Sequence, residues 1–418
     1  MKKYLLYVIA IITANISIAQ EVPKFRIDPA QAYGGTVSEY FNNVEYIPLE
    51  TTKESLFGDV FQLLVTDSSI VVYDLDTKYV LFFTLSGKYI SKIKENWPPV
   101  ISYDKVKQRL KVMSTVIGTN EQHAKMVNSA YYSCTGRKIN ENPPVSLMKI
   151  DENATLFPMQ NDFYLSARSC YFPKGKLPQD SVIYLADIYH GDSVYRSVFP
   201  FNQKNNPCFC SVLGGQANIT PVPDDPDAFY ASLPSEYAIY KVNADTTIKL
   251  YQLVLPANSS VPKNLLASNN QVYLDSFRNG RGIPQRVIKG IKNVYLSNQL
   301  LMFKLDPFGV PLFNNSSEIE YQYNFIYNTG SGRLVSLERI TPDAKNYFLP
   351  LARSFQFALF GLQYANGNFY TCVSSLDMFS ARENTESKNP QYPPVLQEYF
   401  STQNRKSNPV IVKMKLKE

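Results

Sequence analysis

His123 and His190 are the only imidazoles in 418 residues, and they stand 67 positions apart with no partner pattern around either. A metal centre needs several such ligands converging, so each reads as a packed or surface side chain. Cys208-Phe209-Cys210 is the one close thiol pair; the remaining cysteines are Cys134, Cys170 and Cys372. On an extended strand the pair would share a face at about 6.5–7 Å, the outer limit for a disulfide. Buried or free thiols are the first reading of the five, a disulfide the second, and a metal site the last. Carboxylates do acid–base work on glycosides when two flank the scissile bond. Asp74 with Asp76, and Asp224, Asp225 and Asp227 between prolines, are the candidates. Asp also bonds its own backbone in tight turns, and that reading comes before calcium binding or catalysis. Nucleophile elbow, phosphate loop, zinc helix and calcium-hand motifs do not appear, and no catalytic residue, metal ligand or cofactor is assigned. Trp97, the single tryptophan, stands in Glu95-Asn96-Trp97-Pro98-Pro99. An aromatic ring in a Pro-rich loop either docks a sugar or peptide or plugs a gap in the core; Trp97 is the binding candidate.

The elements that position these residues read as short strands. Phe83-Thr84-Leu85-Ser86-Gly87-Lys88-Tyr89-Ile90 returns 49 residues later as Tyr132-Ser133-Cys134-Thr135-Gly136-Arg137-Lys138-Ile139. Each is a strand, a tight turn and a return strand, with Gly supplying the positive φ. The spacing falls in the range of propeller blades. Around the first copy, 60–65, 70–73, 79–84 and 88–93 make four strands, one complete blade. Further clusters run over 100–139, 155–200, 229–255, 272–305, and 321–340 with 357–374. Long helical periodicity is absent, and 279–286 and 382–394 read as exposed loops. Val44 to Leu49 and Val410 to Leu416 read as strands at the two ends of the chain, suited to closing a ring within one blade. The expectation is an all-β, six-bladed β-propeller of four-stranded antiparallel blades.

Composition agrees with β structure: 30 Tyr and 25 Phe, punctuated by 27 Pro and 18 Gly. The first twenty residues read as an export signal. Lys2 and Lys3 precede an uncharged run from Tyr4 to Ala14, and Ser17-Ile18-Ala19 offers small residues to a peptidase, placing cleavage after Ala19 or Gln20. Residues 1–20 are then signal peptide and 21–418 a single propeller domain. The run is too short for a membrane span, which takes roughly 20 residues. The first cysteine is Cys134, so no lipid anchor is expected at the cleavage site. Without Lys2 and Lys3 the 42 basic side chains become 40 against 36 acidic, a net charge of +4. That excess is dispersed, whereas nucleic-acid binding asks for a clustered stripe.

Several stretches resemble the six-bladed β-propeller proteins of the Bacteroidota, relatives of the NHL-type propellers. They are Tyr46-Ile47-Pro48-Leu49-Glu50-Thr51, the run from Ser69 to Ile93, Ile239-Tyr240-Lys241-Val242, Phe325-Ile326-Tyr327-Asn328-Thr329-Gly330, and Asn408-Pro409-Val410-Ile411-Val412. The resemblance spans nearly the whole chain after the signal and implies the fold and export rather than a reaction. Many members look like lipoproteins, and this chain departs from them in lacking the anchoring Cys. Even spacing at 49 residues would give eight blades; the longer later loops and the resemblance favour six. Together these observations lead to an exported, non-catalytic scaffold, periplasmic or at the cell surface, binding a protein or glycan through one face of the ring. A glycan-processing enzyme with carboxylates from different blades, or a structural subunit of an envelope assembly, are the alternatives.

Overall fold

The computed structural model describes residues 21–58, 60–95, 99–105, 107–117, 125–141, 155–168, 182–191, 193–202, 216–223, 225–266, 287–307, 324–352 and 362–417. Among them six sheets form, each built outward from an innermost strand. The first blade is Gln62–Val65, Ser69–Asp74, Tyr79–Thr84 and Tyr89–Lys94; the second is Val100–Asp104, Arg109–Ile117, Lys125–Ser133 and Lys138–Ile139. The third holds Thr155–Pro158, Phe163–Ala167, Val182–His190 and Ser193–Asn202. The fourth holds Asn218–Val222, Asp225–Ser232, Ala238–Val242 and Thr247–Val254, and the fifth Ile288–Ser297, Leu300–Pro307, Asn324–Asn328 and Leu334–Thr341. The sixth combines Gln363–Ala365, Asn368–Val373 and Val410–Leu416 with the early strand Phe41–Pro48. The chain is an all-β, six-bladed β-propeller.

Closure takes place in the sixth blade, where Val410 lies opposite Pro48 and Met414 opposite Val44 in antiparallel register. Pairing the two ends of the chain removes a sheet edge that would otherwise be open. A feature absent from the sequence reading precedes that strand. Residues 24–36 run along the outside of the ring as a strap. Lys24–Arg26 adds in parallel to Thr247–Val254 of the fourth blade, and Tyr33–Thr36 adds in parallel to Leu334–Thr341 of the fifth. These two blades therefore have five strands. Phe25 packs at 5.2 Å from Tyr251 and 5.1 Å from Tyr327, bridging the fourth and fifth blades. The strap's Ile27 and Ala32 are buried in the same apolar cluster.

One blade assignment and one loop assignment made from the sequence change. The segment expected at 321–340 in the last blade supplies the outer strands of the fifth. The stretch expected as an exposed loop at 382–394 begins inside a helix, Ser375–Thr385, and a second helix, Pro394–Thr402, follows it. The first is capped by Ser374, whose hydroxyl accepts from the Asp377 amide at 3.1 Å. The second buries Leu396, Tyr399 and Phe400, an i, i+3, i+4 stripe. The loop expected at 279–286 lies outside the described residues.

Both copies of the repeated turn are built alike. Thr84 Oγ1 and Ser133 Oγ each accept from the amide four residues on, at 3.0 and 3.1 Å, and bond the hydroxyl two residues on, at 2.9 and 2.8 Å. Gly87 and Gly136 hold φ of +86° and +80°. Each turn rests on the outer strand of the blade before it. The Gly87 carbonyl accepts from Glu50 N at 2.8 Å, and Ser91 Oγ donates to the Thr135 carbonyl at 2.7 Å. Further round, Arg196 of the third blade spans the 243–247 turn of the fourth with four hydrogen bonds. The repeat is an inter-blade latch as well as a hairpin.

Candidate functional site

Six innermost strands face one another across the ring axis, each paired on one side only. Their free edges and alternating side chains enclose a cavity of about 410 Å³, to which all six blades contribute. That is the size range of small-ligand pockets. Its walls are largely apolar: Phe61 and Leu63 from the first blade, Ile101 from the second, Phe157 from the third, Ile219 from the fourth and Tyr364 from the sixth. Phe61, Leu63, Phe157, Ile219 and Tyr364 are only half-buried, so their apolar atoms face the opening instead of packing fully into protein.

Polar groups stand among them, and most are neutral. Gln62 and Gln363 each open the innermost strand of adjacent blades, the first and the sixth, and both line the cavity. Ser102, Thr220 and Asn293 line it too. Lys105, Pro223 and Asn366 mark the end of the cavity at which each innermost strand turns into its neighbour. Beside that end Gln108 Nε2 donates to Asp67 at 2.9 Å, and this bond holds the Asp67 carboxyl below its usual range. Burial, with the adjacent Asp67, pushes the Tyr103 hydroxyl up to about 12, so it stays protonated and able to donate.

Of the carboxylates singled out in the sequence, Asp74, Asp225 and Asp227 each bond a neighbour within the scaffold, while Asp76 is exposed in its turn. Asp74 is buried and accepts from Thr77 N at 2.8 Å within a turn. Asp225, the one carboxylate among the described lining residues, is 2.9 Å from Lys241 Nζ. Asp227 accepts from Gln160 N of the third blade at 2.8 Å. A glycosidase pair needs two carboxylates facing one space, and the described lining does not bring two together. His190 stacks on Phe163 at 4.5 Å. Cys134 and Cys372 are buried, and Cys372 lines the cavity. Trp97, Ala19, Gln20, His123, Cys170, Cys208, Cys210 and Asp224 lie outside the described residues. Among the described residues no helix is long and apolar enough to cross a membrane.

The cavity escaped sequence reasoning because its residues come from six distant strands with no shared spacing. The one available signal was the polar residue opening an otherwise apolar short strand, as at Gln62 before Leu63-Leu64-Val65.

A family description of six-bladed β-propellers matches residues 23–96. None of the curated proteins matches the sequence. Among solved structures, a protein of Bacteroides fragilis described as exported shares 12% identity, with 94% of this chain and 100% of that one covered, at a TM-score of 0.59. A member of the DUF4221 family from Bacteroides vulgatus shares 8% identity over 90% of this chain and 98% of its own, at a TM-score of 0.41. At such identities the first likeness speaks to the fold alone.

Proposed function

We propose that this protein is an exported, non-catalytic binding scaffold that engages a protein or glycan partner at one face of the ring, through the mouth of the axial cavity. The observation that carries the reading is the cavity itself: six blades converge on it, and its walls keep apolar side chains half-exposed. A rigid closed ring holds such a site without reorganisation, which lowers the entropic cost of binding. The periplasm or cell surface is the proposed location, on the strength of Lys2 and Lys3, the Tyr4 to Ala14 run and Ser17-Ile18-Ala19.

The test compares the native protein with Ser102→Trp, which places an indole in the cavity from a half-buried position on the second blade. Glycan arrays and pull-downs from an envelope fraction are run on both, with melting curves to confirm folding. A partner retained by the native protein and lost from the folded variant supports the reading. A partner held equally by both, or turnover of a bound glycan that disappears when one Asp or Glu is replaced, overturns it. N-terminal sequencing of native material should begin at Gln20 or Glu21, and an intact Met1 would remove the export proposal.

A further inference from the structure

We infer that the group the cavity accepts is a neutral amphiphile, an apolar chain or ring joined to an uncharged hydroxyl-bearing head; this rests on the axial cavity being the binding site. Three observations converge. First, the half-buried walls made by Phe61, Leu63, Phe157 and Ile219 gain from contact with an apolar body, at roughly 25 cal/mol for each Å² removed from water. Second, Gln62 and Gln363 are half-buried, and their carboxamides make no hydrogen bond among the described residues. Each offers two donors and an acceptor, and buried amide groups favour a ligand that uses them. Hydroxyls, which both give and accept, match them better than a carboxylate or an ammonium. Third, the described lining offers little counter-charge: Asp225 is held by Lys241, and Lys105 is exposed beside Asp67. An ionic head would lose hydration inside the ring without compensation.

Octyl glucoside, octyl sulfate and glucose, each below the micelle concentration, separate the possibilities by titration calorimetry. The expected result is saturable binding of octyl glucoside, at least tenfold weaker binding of octyl sulfate, and no measurable binding of glucose. Gln62→Leu with Gln363→Leu should weaken octyl glucoside at least tenfold while the melting temperature holds, and folded Ser102→Trp should abolish it. If either variant fails to fold, competition between octyl glucoside and octanol on the native protein gives the same answer: a head-group preference below twofold sinks the inference. Equal affinity for octyl sulfate, or binding of glucose as tight as octyl glucoside, also overturns it. If a macromolecular partner depends on Ser102 but octyl glucoside does not bind, the scaffold reading stands and this one fails. If octyl glucoside binds as expected and no partner depends on the ring, this inference stands and the macromolecular reading fails.

Discussion

Asn408 and Ser55 meet across more than 350 residues of sequence: the Asn408 carboxamide donates to the Ser55 carbonyl at 2.9 Å. The same nitrogen donates to the Glu50 carbonyl at 2.8 Å, and its oxygen accepts from Phe57 N at 3.1 Å. Asn408 is fully buried and stands just before the closing strand Val410–Leu416. Its own carbonyl accepts from Ser375 Oγ at 2.6 Å, which in turn is bonded by the Tyr399 hydroxyl. The closing blade, the two helices and the entry to the first blade are thus tied at one residue, through its side chain and its own carbonyl.

Asn408→Ala should therefore cost about 3 kcal/mol of unfolding free energy, because two carbonyls and an amide lose their partner in a buried place. Asn408→Asp should cost more, since it sets a carboxylate oxygen against two carbonyls. Urea unfolding checks both, and a loss below about 0.5 kcal/mol for alanine would show that water replaces the knot.

Gly87 combines a left-handed backbone with a close approach. A Cβ there would lie 2.2 Å from the Pro48 carbonyl oxygen. Gly87→Ala should destabilise by at least about 2 kcal/mol, from the φ cost together with the contact. The damage should appear at the junction of the sixth and first blades, read by hydrogen exchange at Glu50 and Tyr89.

The strap should contribute real stability. Ile27 is 1% exposed, and Ile27→Ala should cost about 2–4 kcal/mol. Deleting residues 21–36 should lower the melting temperature and speed proteolysis in the fourth and fifth blades. Unchanged melting after deletion would reduce the strap to an ornament on the rim.

Lys111 supplies a pH signature. Burial lowers its amine from 10.5 to about 8, although its Nζ donates to the Tyr164 hydroxyl at 2.8 Å and sits 4.0 Å from that ring's centre. Below about pH 8 the ammonium is charged in both folded and unfolded chains, and the burial cost is fully expressed. Between about 8 and 10.5 the unfolded chain binds more protons, so stability rises with pH. Relative to Lys111→Met, the native protein should gain about 2 kcal/mol between pH 7.5 and 10. Urea unfolding at the two pH values measures this, and a flat difference would mean that the amine is not desolvated.

What the sequence made legible was local chemistry. The hydroxyl spacing around Gly87 and Gly136 specified two hairpins, and the alternation at Val410–Leu416 marked the closing strand. The strap was illegible because Lys24–Arg26 is too short for a period, and Tyr33-Gly34-Gly35-Thr36 reads as a turn. Its strand character comes from the edges it joins. The two helices carried usable signals in Ser374 with Asp377 and in Leu396, Tyr399 and Phe400, but each is too short to dominate a β-rich background. Of the site, the sequence pointed to Trp97 in a loop, whereas the described cavity draws on strand residues such as Gln62 and Gln363.

The pairing of Phe41–Pro48 with Val410–Leu416 also sets a timetable. The ribosome finishes the outermost strand of the last blade more than 360 residues before it makes the partner. At about 5–20 residues per second that is a wait of roughly 20–70 s. Through that interval Phe41–Pro48 lacks its native neighbour and is a ready template for pairing with other chains. A holding factor that shields the nascent amino-terminal segment, or passage through the membrane before folding, would remove the hazard. Yield in a host that retains the protein inside the cell should suffer accordingly.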